Sequence, residues 1–131
     1  MQTVGLNHFN ITAPRALLER VKDFYVEVLG LEVGARPNFM RDGFWLYAGH
    51  LPIVHLTICD ESEERADSLT SFVDHIAFTC KGLSGFVERL ERLRIPFRVA
   101  DGPTQVQVFI RDPAGVGVEL NFTQEASLEH S

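Results

Sequence analysis

Hydrophobic and polar positions alternate in short runs along this chain, and twice the alternation gives way to a helical stripe before it resumes. Runs ending in Ile11, Ile58, Phe78 and Phe122 place apolar side chains at every second position, the pattern of half-buried β-strands. In the first half the pattern predicts a strand over 4–11 and then a helix of about fifteen residues opened by Pro14. Leu17, Leu18, Val21, Phe24, Tyr25 and Val28 recur there at threes and fours to give one apolar stripe, and Gly30 closes the helix. Strands follow near 31–36, 43–48 and 52–59, with Asp42-Gly43 as a turn signal. The second half predicts a strand over 72–80 and a helix near 83–94 that carries Leu83, Phe86, Val87, Leu90 and Leu93 on one face and ends before Pro96. Strands near 97–100, 105–111 and 116–122 complete it, the last entered through the turn Asp112-Pro113-Ala114-Gly115.

The two halves therefore share one order of elements. Asn7-His8-Phe9 faces Asp74-His75-Ile76 at an offset of 67, and His55-Leu56 faces Glu119-Leu120 at an offset of 64. This predicts an α+β fold made of two tandem βαβββ modules within one domain of 131 residues. Module one covers about 4–59, an acidic linker 60–71, module two about 72–123, and a tail 124–131.

Strand parity then assigns faces. His8, Asn10 and Thr12 share one side; so do His55, Thr57 and Cys59; so do His75, Ala77 and Thr79; so do Glu119 and Asn121. The bulky apolar set on the other side is free to pack under the helices. Two such mixed sheets, curved toward each other, would enclose a polar-centred cavity. A single strand histidine is most often a satisfied core or surface residue. Four polar residues at repeat-related positions on one face are different, because imidazole and carboxylate are the ligands expected for Zn, Ni, Mn, Fe or Co. His8, His55, His75 and Glu119 are thus the candidate metal ligands, and His50 and His130 lack such support.

Charge narrows the partners. Eighteen acidic against twelve basic residues give a formal charge of −6, and Lys22 and Lys81 are the only lysines. That balance argues against nucleic acid or an anionic membrane and leaves a small molecule as the expected partner. No apolar run is long enough to span a bilayer, and the N-terminus lacks the pattern of a secretory signal. Two cysteines, Cys59 and Cys80, make no disulfide framework, so a cytoplasmic location is expected.

Over residues 4–123 the chain resembles the vicinal oxygen chelate superfamily, which includes glyoxalase I, bleomycin-resistance proteins and extradiol dioxygenases. The resemblance rests on Leu6-Asn7-His8, Phe24-Tyr25 with Leu29-Gly30-Leu31, Asp74-His75-Ile76-Ala77-Phe78, and Asp112-Pro113-Ala114-Gly115 leading to Val118-Glu119-Leu120. It implies paired βαβββ modules around one divalent metal that chelates two neighbouring oxygens of a substrate. It also implies a homodimer, with the site within one chain or shared between subunits. By position His8, His75 and Glu119 match the family's shared ligands, and His55 falls where glyoxalase I has a glutamate that is both ligand and base.

No member's signature is complete. No arginine follows His8 closely, where glyoxalase I uses one for glutathione, and Phe109 stands where ring-cleaving dioxygenases carry a tyrosine. The leading expectation is a metal-dependent lyase or isomerase that stabilises an enediolate-type intermediate, with His55 and Glu119 as catalytic residues. An Fe(II) or Mn(II) ring-cleaving dioxygenase is the alternative, and a non-enzymatic ligand-binding protein of the bleomycin-resistance type is another. Trp45, Tyr47, Gln107, Phe109 and Arg111 are expected to line the substrate cavity.

Overall fold

The computed structural model describes residues 1–38, 41–60 and 73–123, and the chain divides into two compact units, Met1–Asp67 and Ser68–Ser131. In the first unit, β1 (Phe9–Pro14) leads directly into α1 (Arg15–Glu27), followed by β2 (Glu32–Gly34), β3 (Gly43–Ala48) and β4 (Leu51–Cys59). Leu18, Val21, Phe24, Tyr25 and Val28 bury one side of α1, while Val54 and Leu56 bury the facing side of β4. The helix stops because Gly30 takes a positive φ of 75°. The Gly30 and Leu31 amides then reach back to Val26 and Tyr25, satisfying carbonyls that the helix leaves open. This turn returns the chain to the sheet, whose order is β1-β4-β3-β2 with β1 and β4 parallel.

The second unit repeats the plan with β5 (His75–Cys80), α2 (Leu83–Arg92), β6 (Arg98–Asp101), β7 (Gln105–Arg111) and β8 (Gly117–Thr123). Its sheet order is β5-β8-β7-β6, again with the first pair parallel. Phe86 and Leu90 of α2 are buried along with Val106, Val108, Ile110, Val118, Leu120 and Phe122 of the sheet. The Phe86 and Phe122 rings lie 5.7 Å apart. The Asp112 turn is held from within, since Asp112 Oδ1 accepts the Ala114 and Val116 amides at 2.8 and 2.9 Å.

The βαβββ duplication is therefore present, in two mixed sheets with one helix each. Two features differ from expectation. β1 begins at Phe9 rather than near residue 4, so His8 lies just before the strand, in an exposed segment without regular secondary structure. Ladder pairing decides this start: Phe9 is the first residue with a partner, Val54, on β4. The histidines are also less buried than a costly mid-strand imidazole would be. His8 and His75 are exposed and His55 is half-buried, whereas Glu119 is buried. Most of the acidic linker, from 61 onward, and the tail 124–131 lie outside the described residues. No helix among the described residues is long and apolar enough to cross a membrane.

Candidate functional site

The second unit places its polar residues as a grid across one sheet face. Strand register sets His75 beside Gly117 and Arg111, Ala77 beside Glu119, Phe109 and Arg98, and Thr79 beside Asn121 and Gln107. Alternation puts the apolar set of β8 on the other side, so the fold itself gathers His75, Glu119, Gln107 and Phe109. Gly117 is the spacer that allows it: a Cβ there would stand 2.5 Å from the Asp74 carbonyl and 3.0 Å from His75 Cβ.

Within this grid His75 Nε2 stands 3.3 Å from Glu119 Oε1. The other ring nitrogen, Nδ1, donates to Asp74 Oδ2 at 2.9 Å, which fixes the tautomer and turns Nε2 toward the carboxylate. That hydrogen bond raises the His75 pKa above the ordinary histidine value and holds Asp74 below the usual carboxylate range. Gln107 Nε2 donates to Glu119 Oε2 at 3.1 Å, orienting the second carboxylate oxygen. Asn121, opposite Gln107 in the ladder, keeps a buried Oδ1 with no hydrogen-bond donor among the described residues. Two ligand atoms bound to one divalent ion at about 2.0–2.2 Å stand about 3.0–3.5 Å apart. The His75–Glu119 separation of 3.3 Å meets that requirement. A histidine backed by a carboxylate and a carboxylate backed by an amide are also the supports that metal ligands need.

These groups line a cavity of about 820 Å3 in the second unit. Its walls include Phe109, Ile95, Pro96 and Phe97, with the Arg98 guanidinium 4.2 Å over the Phe109 ring. Arg111 also lines it and donates from Nη1 to the Gly115 carbonyl at 2.9 Å.

The first unit arranges its pair differently. Trp45 sits beside His55 in register on β3 and β4, and the two rings stack 4.1 Å apart with planes 14° from parallel. His8 stacks on the opposite side of His55, at 3.8 Å and 12°. Imidazole lone pairs lie in the ring plane, so stacked parallel rings do not aim a nitrogen each at one ion. His55 Nε2 is within 3.0 Å of the Pro52 carbonyl and so carries the hydrogen, leaving Nδ1 with the lone pair. Burial, reinforced by the neighbouring His8, lowers the His55 pKa and keeps the ring neutral at neutral pH. Tyr47 is taken up locally: it packs over Gly34 and donates to the Ala35 carbonyl at 2.6 Å.

Of the expected residues, the structure thus brings together His75, Glu119, Gln107, Phe109 and Arg111 in one unit, and His8, His55 and Trp45 in the other. No group of three or more His, Cys, Asp and Glu side chains with metal-holding geometry occurs among the described residues. Arg98 was not singled out in the sequence, and Asp74 and Asn121 were named there only within a motif and a strand face, without a site role.

The family model described as the Glyoxalase/Bleomycin resistance protein/Dioxygenase superfamily matches residues 5–120. The chain belongs to that superfamily. Solved structures of superfamily-like proteins agree in fold. A glyoxalase/bleomycin resistance protein/dioxygenase domain from Frankia sp. EAN1pec shares 20% identity, with 98% of each chain covered and a TM-score of 0.72. A lactoylglutathione lyase from Agrobacterium tumefaciens shares 24% identity over 93% of this chain and 96% of that one, at a TM-score of 0.66. An antibiotic-binding protein from Streptomyces sp. CB03234 shares 18% over 94% and 98%, at 0.67. No curated protein sequence matches the chain. The superfamily fold thus serves proteins described as a lyase and as an antibiotic binder.

Proposed function

We propose that this superfamily member is a divalent-metal-dependent lyase or isomerase of the glyoxalase type, acting on a small substrate that offers two neighbouring oxygens. The observation that carries this reading is the His75–Glu119 pair, with its 3.3 Å separation and the support of Asp74 and Gln107. His75 and Glu119 would hold the metal together with His8, whose Nδ1 lies 2.7 Å from Asn7 Oδ1, so that Nε2 is its free nitrogen when Nδ1 donates. When bound, the metal supplies Lewis-acid stabilisation of negative charge developing on the substrate's oxygens.

The chain's own residues do the rest. Gln107 and Asp74 fix their partners' orientation. His55, neutral and with Nδ1 unprotonated, is suited to accept a proton from substrate rather than to ligate, because its ring is held between His8 and Trp45. Glu119, buried and acceptor-only when ionised, is the charged ligand. The functional unit is proposed to be a homodimer in the cytoplasm, with His8 and His55 complementing His75 and Glu119 from the same chain or from a second copy.

The test is metal analysis of protein purified without added metal. One divalent ion per site is expected, with a loss of about tenfold or more in affinity for His75→Ala and Glu119→Ala. His55→Ala is expected to keep its metal. Unchanged metal content in both ligand variants would remove the proposed site.

The ring stack favours one second reading. Stacked His8, His55 and Trp45 present aromatic surface in place of converging nitrogens. That suits a non-enzymatic module holding a flat ligand, as the antibiotic-binding relative suggests. Stoichiometric metal lost on Glu119→Ala argues against it. The ring-cleaving dioxygenase alternative is separated by oxygen uptake with a catechol, which the lyase reading predicts to be absent.

A further inference from the structure

The cavity of the second unit is lined by two guanidinium groups that the ligand pair does not engage, Arg98 and Arg111. Asp74 is bonded to His75, Glu119 is bonded to His75 and Gln107, and Arg111 is bonded to the Gly115 carbonyl. Among the described residues Arg98 is held only through its face, which lies 4.2 Å over the Phe109 ring. Stacking of this kind fixes the plane of a guanidinium and leaves its N–H edge free for bidentate hydrogen bonds to a planar anion. Register places Arg98, Phe109 and Glu119 in one row across β6, β7 and β8. Arg98 thus stands two strands, about 10 Å between backbones, from Glu119. The Phe109 ring lies between them in that row, and Ile95, Pro96 and Phe97 add apolar wall to the same cavity.

We propose that Arg98 is a specificity residue that binds a carboxylate carried by the substrate on an apolar body, at a distance from the two oxygens presented to His75 and Glu119. The inference deepens the metal-dependent reading of the same site and depends on it for what lies at the far end of the row. The chemistry selects a carboxylate because two parallel N–H···O bonds match the guanidinium edge. It selects an apolar body because the Phe109 ring lies between Arg98 and Glu119 in the row and Ile95, Pro96 and Phe97 line the same cavity. The overall charge of −6 repels anions at long range, so an arginine exposed in a concave apolar site supplies local attraction that the molecule otherwise lacks.

The probe is 3-phenylpropionate, compared with the neutral 3-phenylpropionamide of the same shape, titrated by calorimetry and ligand-observed NMR into the full chain in chelator. Saturable binding of the acid is expected, about tenfold tighter than that of the amide. Arg98→Gln should remove that preference, Arg98→Lys should restore part of it, and Glu119→Gln should leave it in place. Equal binding of acid and amide, equal binding by wild-type and Arg98→Gln, or no saturable binding of the acid would each overturn the proposal. Metal content separates this outcome from failure of the site itself: Arg98→Gln keeps its metal, whereas loss of the metal reading would show as unchanged content in Glu119→Ala.

Discussion

At the residue scale, two histidines of the same chain are tuned in opposite directions by their surroundings. Burial beside His8 lowers the His55 pKa, and the hydrogen bond to Asp74 raises that of His75. For His55 the unfolded chain binds the proton more tightly, so its contribution to stability falls as pH drops through about 6.5 and below. For His75 the contribution is complete below about 6.5 and is lost as pH rises through its higher folded value. In chelator-treated protein, His55→Gln is expected to lose less stability than wild-type between about pH 7.5 and about pH 5.5, read from denaturant midpoints. Parallel curves for the two proteins would mean that His55 is not desolvated as described. Gly117 acts sterically instead. A Cβ at that position meets the Asp74 carbonyl and the His75 side chain, so Gly117→Ala should cost about 1–3 kcal/mol and displace His75. Thermal unfolding and metal content should fall together.

At the element scale, both helices end on a residue of positive φ, Gly30 after α1 and Arg94 after α2. Gly30 and Leu31 close α1 with bonds back to Val26 and Tyr25, and Arg94 and Ile95 close α2 with a tighter pair, to Glu91 and Leu90. Arg94 sits at a positive φ of 57°, where glycine carries no penalty. Arg94→Gly is therefore expected to stabilise the chain by about 0.5–1 kcal/mol, after the added freedom of the unfolded state is counted. A lowered denaturant midpoint would contradict this account of the turn. Apolar periodicity found both helices and all the strands, because burial imposes it. Parity put Glu119 and Asn121 on one face of their strand and His75 on one face of its own, because the pleat leaves no choice. The start of β1 was misjudged because Leu6-Asn7-His8 alternates like a strand, yet ladder pairing begins only at Phe9. The His8–His55 stack was invisible for a related reason: parity gives a face but not a ring orientation. Arg98 carried no signal in the sequence, since only the fold sets Phe109 beneath it.

At the scale of the whole molecule, the proposed ligand set draws His8 from the first unit and His75 and Glu119 from the second, and this division has a consequence for assembly. Val4 and Leu6, just before His8, are 92% and 77% exposed, and Val73, just before His75, is 64% exposed. Large apolar residues left open beside functional side chains are the kind of surface that a second copy covers. If a dimer joins His8 of one subunit to Glu119 of the other, two defective variants can repair each other. A subunit carrying His8→Ala and one carrying Glu119→Ala would form a mixed dimer in which one site has lost both ligands and the other is whole. Random pairing makes about half of the dimers mixed, so about a quarter of the wild-type metal content should return after the two are unfolded and refolded together. A site completed within each chain has no such route, because every chain in the mixture still lacks one of its ligands. Recovery to about a quarter is expected, measured by metal analysis after gel filtration. Metal content that stays at the level of the separate variants would assign the complete site to a single chain.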